Sequence, residues 1–309
     1  MPSRILIIFP GALGDLICLA PTIAAIAHRH RDADLELMAR MVLAEFAVGR
    51  LGIARAHSID RREVALLFRS SDEGDATRRF FGAFDRIYCF FSADDQQFRR
   101  SLTEAARPGA TTFHRFRPEA DGHVAVAYLK DVTGDTIFTP IPIKLSDEDL
   151  DAASKALGGA SEGKKFVAIF PGSGSPSKNW PSEKFFALAE ALNHQSRTVF
   201  ILGPAEEAME KVLRSVDHII IKSQPLGTVA AIASMAAVFV GNDSGISHLA
   251  AATGTRGVVL FGHTDPARWR PLGNVTALRR DPIASIEVAE VASLLGSDSI
   301  LPVIGARND

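Results

Sequence analysis

The chain has 309 residues, of which 47% are hydrophobic and 23% are charged, and this composition excludes a disordered or fibrous protein. Its 34 Lys and Arg residues against 36 Asp and Glu residues give a net charge of −2, so it lacks the basic excess usual in nucleic-acid binders. The 2 cysteines form neither a disulfide framework nor a four-cysteine zinc site, and they favour a reducing compartment.

Strands and helices are predicted to alternate in the first half of the chain. Residues 4–9 are a short apolar run closed by Pro10-Gly11, which is typical of a buried parallel strand. Two further strands are predicted at 34–39 and 87–91, and helices at 16–30, 42–50 and 123–132. Residues 61–117 are less regular and rich in Arg. Residues 133–146 are predicted to be a linker, because they contain Gly and Pro and little periodicity.

The same alternation restarts after the linker. Strands are predicted at 166–170, 198–202, 218–221, 238–241 and 257–261, and helices at 182–194, 206–216, 226–235, 244–253 and 285–295. Ser182 is predicted to be a helix N-cap, Trp180 a packing anchor and the tail 296–309 frayed. This pattern predicts an α/β fold with parallel sheets, arranged as two Rossmann-like domains, 1–146 and 147–309, with a ligand cleft between them.

The turn after the first predicted strand, Gly11-Ala-Leu-Gly14-Asp15, is the first candidate site. Gly11 and Gly14 allow a tight backbone bend and a close approach to a ligand. Asp15 follows near the start of a helix, where it is either a functional carboxylate facing the cleft or an N-cap. The segment matches neither the dinucleotide-binding fingerprint nor the Walker motif.

A loop rich in Gly and Ser follows the strand predicted at 166–170 and leads to Lys178. Its backbone N–H groups and the hydroxyls of Ser173 and Ser175 are suited to an anion, and Lys178 adds a positive charge suited to phosphate. The alternative is a surface loop with a solvated lysine.

The third candidate site is Asp243-Ser244-Gly245-Ile-Ser-His248, where a strand ends and a helix of small residues begins. The N–H groups and the dipole of a helix N-terminus favour a negatively charged ligand. Asp243 is either a ligand contact or a helix cap. His248, in the first helical turns, is either a site residue or a buried core histidine.

Other kinds of site are not supported by the sequence. A Gly-x-Ser-x-Gly elbow and His-x-x-x-His zinc spacing are missing, and no metal site is predicted. No signal peptide or membrane-spanning stretch is found, which predicts a cytoplasmic protein. Three arginine pairs, at 61–62, 78–79 and 99–100, are typical of a solvated face; the alternative is contact with acidic groups of an acceptor or of the inner-membrane surface.

In this order, the motifs resemble those of glycosyltransferase family 9, the ADP-heptose:lipopolysaccharide heptosyltransferase family. The matching segments are 4–8 with Gly14, Asp15 and Pro21, then 171–173 with 178–181, 203–206, 242–251 and 261–266. They cover the second half almost continuously and the first half mainly over its first predicted strand and helix.

The resemblance implies a GT-B architecture and an inverting sugar transfer without metal or cofactor. The implied donor is a nucleoside-diphosphate sugar, ADP-heptose, and the implied acceptor is lipopolysaccharide or another cell-surface glycan. The resemblance also implies a role for each candidate residue: Asp15 as general base, Ser173, Ser175 and Lys178 on the diphosphate, Glu206 on the ribose, and Asp243, Ser244 and Gly245 on the donor with His248 nearby.

Two alternatives stay open. One is a nucleotide-sugar 2-epimerase on the same scaffold, and the other is a non-catalytic nucleotide-sugar-binding relative. In addition, Cys18 stands where family members that act on the lipopolysaccharide inner core often have His, three residues after the Asp. The sequence therefore leaves the acceptor open.

Overall fold

A computed structural model describes residues 2–69, 74–119, 121–158, 166–193, 196–203, 206 and 219–296. The chain divides into two compact units, Met1–Lys144 and Leu145–Asp309, which are called unit 1 and unit 2 below. Residues 135–146 contain neither helix nor strand, which agrees with the predicted linker. No helix within the described ranges is long and apolar enough to cross a membrane.

Unit 1 is built on a parallel sheet of five strands in the order β3-β2-β1-β4-β5. The strands are β1 Ser3–Ile8, β2 Ala33–Ala39, β3 Arg55–Ser58, β4 Arg86–Cys89 and β5 Thr111–Phe113. The central strand β1 is buried along most of its length, as expected where helices cover both faces of a parallel sheet.

The helices of unit 1 connect these strands and cover the sheet. They are α1 Leu13–Arg29, α2 Met41–Ala47, α3 Arg62–Leu66, α4 Gly74–Phe81, α5 Gln96–Ala105 and α6 Val124–Thr133. Leu6, Ile8 and Met38 on one face of the sheet pack with Phe81 and Phe98 from the helices in one apolar core. Helix α1 continues through Pro21 without a break and packs against α6.

Unit 2 is built on a parallel sheet of six strands in the order β11-β10-β9-β6-β7-β8. The strands are β6 Phe166–Phe170, β7 Arg197–Leu202, β8 Ile219–Lys222, β9 Val238–Asn242, β10 Gly257–Phe261 and β11 Val275–Arg279. Counted from β6, this is the order 3-2-1-4-5-6 of a Rossmann sheet.

The helices of unit 2 are α7 Asp147–Leu157, α8 Ser182–Leu192, α9 Leu226–Met235, α10 Gly245–Ala252, α11 Pro266–Trp269 and α12 Val288–Gly296. Short 3-10 turns lie at Pro176–Lys178 and Ile283–Ser285. Val167, Val240 and Leu260 pack with Trp180 and Phe185 in the core, which confirms Trp180 as a packing anchor.

The structure corrects three predictions. Residues 61–117 hold α3, α4, α5, β4 and β5 rather than a mostly irregular stretch. Ser182 is the first helical residue of α8, and the N-cap position belongs to Pro181. The turn predicted at 11–15 is shorter, because Gly14 and Asp15 already lie in the first turn of α1. The helix predicted at 206–216, except Glu206, and the tail beyond Gly296 lie outside the described residues.

Candidate active site

In unit 2 the candidate site lies at the carboxyl ends of two neighbouring strands. β6 leads into the loop that carries Lys178, and β9 leads into Asp243. The sheet order changes direction between these strands, because β7 and β8 lie on one side and β10 and β11 on the other. Ligands of doubly wound α/β folds bind at such a point, outside the carboxyl ends of the strands.

Lys178 and Asp243 form an ion pair at this point. Lys178 Nζ donates to Asp243 Oδ2 at 2.7 Å, and Thr264 Oγ1 donates to the same oxygen at 2.8 Å. The Asp243 side chain is 7% exposed, whereas that of Lys178 is 31% exposed. A buried carboxylate thus holds a lysine ammonium that still reaches solvent, so Lys178 is paired as well as partly solvated.

The loop that carries Lys178 is attached to the sheet by Asn242, the fully buried last residue of β9. Asn242 Nδ2 donates to Pro171 O at 2.7 Å, and Asn242 Oδ1 accepts the Trp180 N–H at 3.0 Å. Trp180 Nε1 donates to Ile286 O at 3.0 Å. Both ends of the loop are therefore held by one amide side chain.

Ser173 and Ser175 shape this loop internally. Ser173 Oγ donates to Ser175 O at 2.6 Å and accepts the Ser175 N–H at 3.2 Å. Ser175 Oγ lies 2.9 Å from Ser177 Oγ. These hydroxyls therefore form hydrogen bonds within the loop. Their contact with a diphosphate stays a prediction.

Glu206 lies beside the start of the same loop. Its Oε2 accepts the Gly203 N–H at 2.7 Å. A Cβ atom at Gly172 would overlap the Glu206 carboxylate, so a larger residue there would displace this side chain. The structure thus brings Glu206 to the backbone of the predicted anion loop.

The third motif forms the start of α10. Ser244 is the N-cap and its Oγ accepts the Ser247 N–H at 3.3 Å, so the helix-cap alternative for Asp243 is wrong. Gly245 is the first helical residue. His248 lies in the first turns, as predicted, and is 4% exposed. Its side chain therefore belongs to the interior of unit 2.

In unit 1, Asp15 is a buried carboxylate at the carboxyl end of the central strand. Its Oδ2 accepts the Ala12 N–H at 3.0 Å, which is a capping contact within the first turn of α1. A Cβ atom at Gly11 would lie 2.7 Å from Asp15 Cβ and would overlap the Phe9 ring, so this close approach requires glycine. Cys18, one turn later on α1, is fully buried.

Arg117 is the partner of Asp15, and the sequence analysis did not identify it. Arg117 Nε donates to Asp15 Oδ1 at 2.9 Å, and Nη2 donates to Oδ2 at 2.8 Å. The hydrogen bond to Asp15 raises the pKa of Arg117. The nearby Tyr128 is largely buried, and both this burial and the negative charge of Asp15 raise the pKa of its phenol.

Two other predicted features have a structural role in unit 1. Within the first arginine pair, Arg61 binds Glu63 at 2.9 Å and stacks 3.6 Å from the centre of the Phe80 ring. In the third pair, Arg99 lies 4.2 Å from the centre of the Phe113 ring.

Among the described residues, no group of three or more His, Cys, Asp or Glu side chains is placed to hold a metal ion.

Two Rossmann-like α/β units in one chain are the architecture of a GT-B glycosyltransferase. The model of one family, Glycosyltransferase family 9 (heptosyltransferase), matches residues 93–291, and the chain belongs to that family. It is therefore a glycosyltransferase, which favours sugar transfer over the epimerase and the non-catalytic alternatives.

Known relatives agree with this family in sequence and in structure. Lipopolysaccharide heptosyltransferase 1 of Pseudomonas aeruginosa is 24% identical over 285 residues, which cover 85% of the chain and 79% of the relative. The crystal structure of a family 9 glycosyl transferase from Veillonella parvula matches with a TM-score of 0.77 at 20% identity, over 95% of the chain and 97% of that structure. The ADP-heptose lps heptosyltransferase II of E. coli matches with a TM-score of 0.74 at 18% identity, over the same shares.

Proposed function

We propose that the chain is an inverting, metal-independent heptosyltransferase. In this proposal it moves a heptose from ADP-heptose to a lipopolysaccharide acceptor at the cytoplasmic face of the inner membrane. The names of its relatives, which include a lipopolysaccharide heptosyltransferase and an ADP-heptose heptosyltransferase, support the substrates. The observation that carries the proposal is the Lys178–Asp243 pair where the direction of the sheet order changes in unit 2.

The donor diphosphate is assigned to Lys178 and the loop that carries it. Lysine has three N–H donors, and one of them goes to Asp243, so the ammonium is oriented and still able to donate to phosphate oxygens. The bond that breaks joins the anomeric carbon to a phosphate oxygen, and its electron pair stays on the diphosphate. A fixed positive charge stabilises that developing negative charge without a metal ion.

The acceptor proton is assigned to Asp15. As the acceptor oxygen bonds to the anomeric carbon, its proton passes to the Asp15 carboxylate, acting as general base. Attack on the face opposite the departing diphosphate inverts the anomeric configuration. Arg117 binds both oxygens of this buried carboxylate and supplies its countercharge.

Asp15→Asn tests the catalytic assignment. Turnover is expected to fall by about 10²–10⁴, the usual contribution of a general base, while ADP affinity stays near wild type. The measurement is kcat for heptose transfer, followed by mass spectrometry of the acceptor, together with ADP titration and Tm. Wild-type turnover in this variant would remove Asp15 from the chemistry.

The matched control is Asp95→Asn. Asp95 is also a carboxylate at a helix start in unit 1, where Oδ1 accepts the Phe98 N–H at 2.8 Å, and its loss is expected to leave kcat unchanged.

The reaction type is tested with the wild-type protein. Donor incubated without acceptor must give no epimerised sugar, and the anomeric configuration of the transfer product must be inverted. Activity must survive excess EDTA; loss of activity that Mg²⁺ restores would contradict the metal-independent step.

A further inference from the structure

Asp15 is enclosed by a residue far away in the sequence. The bidentate contact with Arg117 occupies both carboxylate oxygens, and the Ala12 N–H adds a third hydrogen bond. The Asp15 side chain is 3% exposed and that of Arg117 is 49% exposed. The guanidinium is therefore the more accessible half of the pair.

The backbone of Arg117 is held in an unusual conformation to make this contact. Its φ is +53°, in the left-handed region that non-glycine residues rarely adopt. Such conformations persist where the surroundings fix them, and they concentrate at functional sites. Here the Arg117 N–H donates to the Tyr128 hydroxyl at 3.3 Å, and the guanidinium carbon lies 5.0 Å from the centre of the Phe116 ring.

An aromatic cluster holds these two supports in place. The Phe9 ring makes edge contacts with Phe116 at 5.6 Å and with Tyr128 at 5.8 Å between ring centres. Phe90 packs against Phe9 and Tyr128 as well. Phe9 directly follows β1, so the end of the central strand, the support of Arg117 and the carboxylate of Asp15 belong to one set of packed and hydrogen-bonded residues within unit 1.

We propose that Arg117 is a positioning residue for the general base. It fixes the Asp15 carboxylate in one orientation and supplies the countercharge that this buried group requires, and turnover depends on Arg117 through Asp15. The inference rests on the proposed function, because it assumes that Asp15 accepts the acceptor proton. The bidentate geometry is specific to arginine, so a lysine keeps the charge but not the orientation.

Arg117→Gly is the main test, because glycine adopts a φ of +53° readily and the backbone is expected to keep its conformation. The expected result is a fall in kcat of about 10- to 100-fold, the scale of a misplaced catalytic group, with KM for the donor unchanged. Arg117→Lys is expected to have a kcat between those of Arg117→Gly and wild type. Millimolar methylguanidinium is expected to restore part of the kcat that Arg117→Gly loses. Ser223→Gly, at a second left-handed position with φ +52°, is the matched control and keeps wild-type kcat.

The double variant shows whether Arg117 acts through Asp15. In the Asp15→Asn background, Arg117→Gly is expected to change kcat by no more than about twofold, because the residue it positions is already inactive. Wild-type kcat in Arg117→Gly, or a full additional loss in the double variant, would overturn the inference. If Asp15→Asn itself keeps wild-type kcat, the proposed function fails instead, so the two failures are distinguishable.

Discussion

At the scale of single residues, two side chains of the predicted donor site bind the same oxygen atom, Asp243 Oδ2. Asp243 Oδ2 accepts from Lys178 Nζ and from Thr264 Oγ1, while the carboxylate is almost fully buried. A buried charge is stable only when its partners are complete. The threonine hydroxyl therefore helps to hold the carboxylate that in turn holds the lysine.

These contacts predict a graded loss of ADP affinity, measured by titration calorimetry. Lys178→Met removes the charge and is expected to weaken binding by about 1.5–3 kcal/mol, whereas Thr264→Val removes one neutral donor and is expected to weaken it by about 0.5–1.5 kcal/mol. Thr264→Ser restores the hydroxyl and the affinity. Thr276→Val, on the exposed side of β11, is the control. Equal affinity in Lys178→Met and wild type would place the diphosphate elsewhere.

At the scale of elements, the loop between β6 and α8 depends on its attachment to β9. Asn242 satisfies the Trp180 N–H and the Pro171 carbonyl at once, so its amide must have a donor on one side and an acceptor on the other. An aspartate of the same shape offers an acceptor on both sides. It would face the Pro171 carbonyl oxygen without a proton between them.

Asn242→Asp is therefore expected to lower the free energy of unfolding of unit 2 by about 2–4 kcal/mol and to weaken ADP binding. Trp180→Phe loses the hydrogen bond to Ile286 O and leaves a cavity where the larger indole ring packed, so its expected cost is about 1–3 kcal/mol. Calorimetric unfolding with and without ADP measures both effects. Wild-type unfolding free energy and ADP affinity in Asn242→Asp would show that the amide does not hold the loop.

For the molecule as a whole, the response to acid is expected to originate in unit 1. The buried carboxylate of Glu36 on β2 accepts from Arg4 at 2.7 Å, from Arg55 at 3.1 Å and from His57 at 2.6 Å. Burial alone would raise the pKa of Glu36, but the hydrogen bonds from His57 and Arg4 lower it to about 2. One side chain thus ties β1, β2 and β3 together.

The sign of the pH dependence follows from this lowered pKa. The ionised Glu36 carboxylate contributes fully to the free energy of unfolding above pH 4.5, the ordinary pKa of the group. This contribution is lost as the pH falls towards the lowered pKa of about 2. The contribution is about 2–4 kcal/mol. Glu36→Gln is expected to lower Tm at pH 7 and to flatten its fall between pH 4.5 and 2, whereas the exposed Glu104→Gln keeps the wild-type curve. Parallel curves for wild type and Glu36→Gln would contradict this role.

The sequence predicts the central strands of both sheets and misses most of their edges. Continuous apolar runs form β1, β6, β9 and β10, because helices cover both faces of these strands. Such runs can be recognised from a single sequence. The edge strand β3 reads Arg-Ala-His-Ser, because its polar side chains pair with Glu36 rather than with an apolar core. Helix α7 was also missed, although Ser146 and Asp149 form a capping box that the sequence displays.

The candidate site was predictable where it depends on loops and not where it depends on tertiary contacts. Lys178 and Asp243 follow strands that the sequence identifies, and parallel strands bring their carboxyl ends to one edge. Arg117 reaches Asp15 from 102 residues away, and Thr264 reaches Asp243 from 21 residues away. No local pattern marks Arg117. Thr264 lies in the matching segment 261–266, but nothing in the sequence pairs it with Asp243, because the hydrogen bond exists only after the sheet has formed.

Each unit has its own apolar core, gathered on its own sheet, and this has an evolutionary consequence. A substitution among the helices around β4 and β5 acts on the core of unit 1, which shares no residue with the core beneath Lys178 and Asp243. The half that is predicted to meet the acceptor is thus free to drift and diversify while the half predicted to hold the nucleotide is retained. Changes of acceptor among related chains are therefore expected to fall mainly in the first 144 residues.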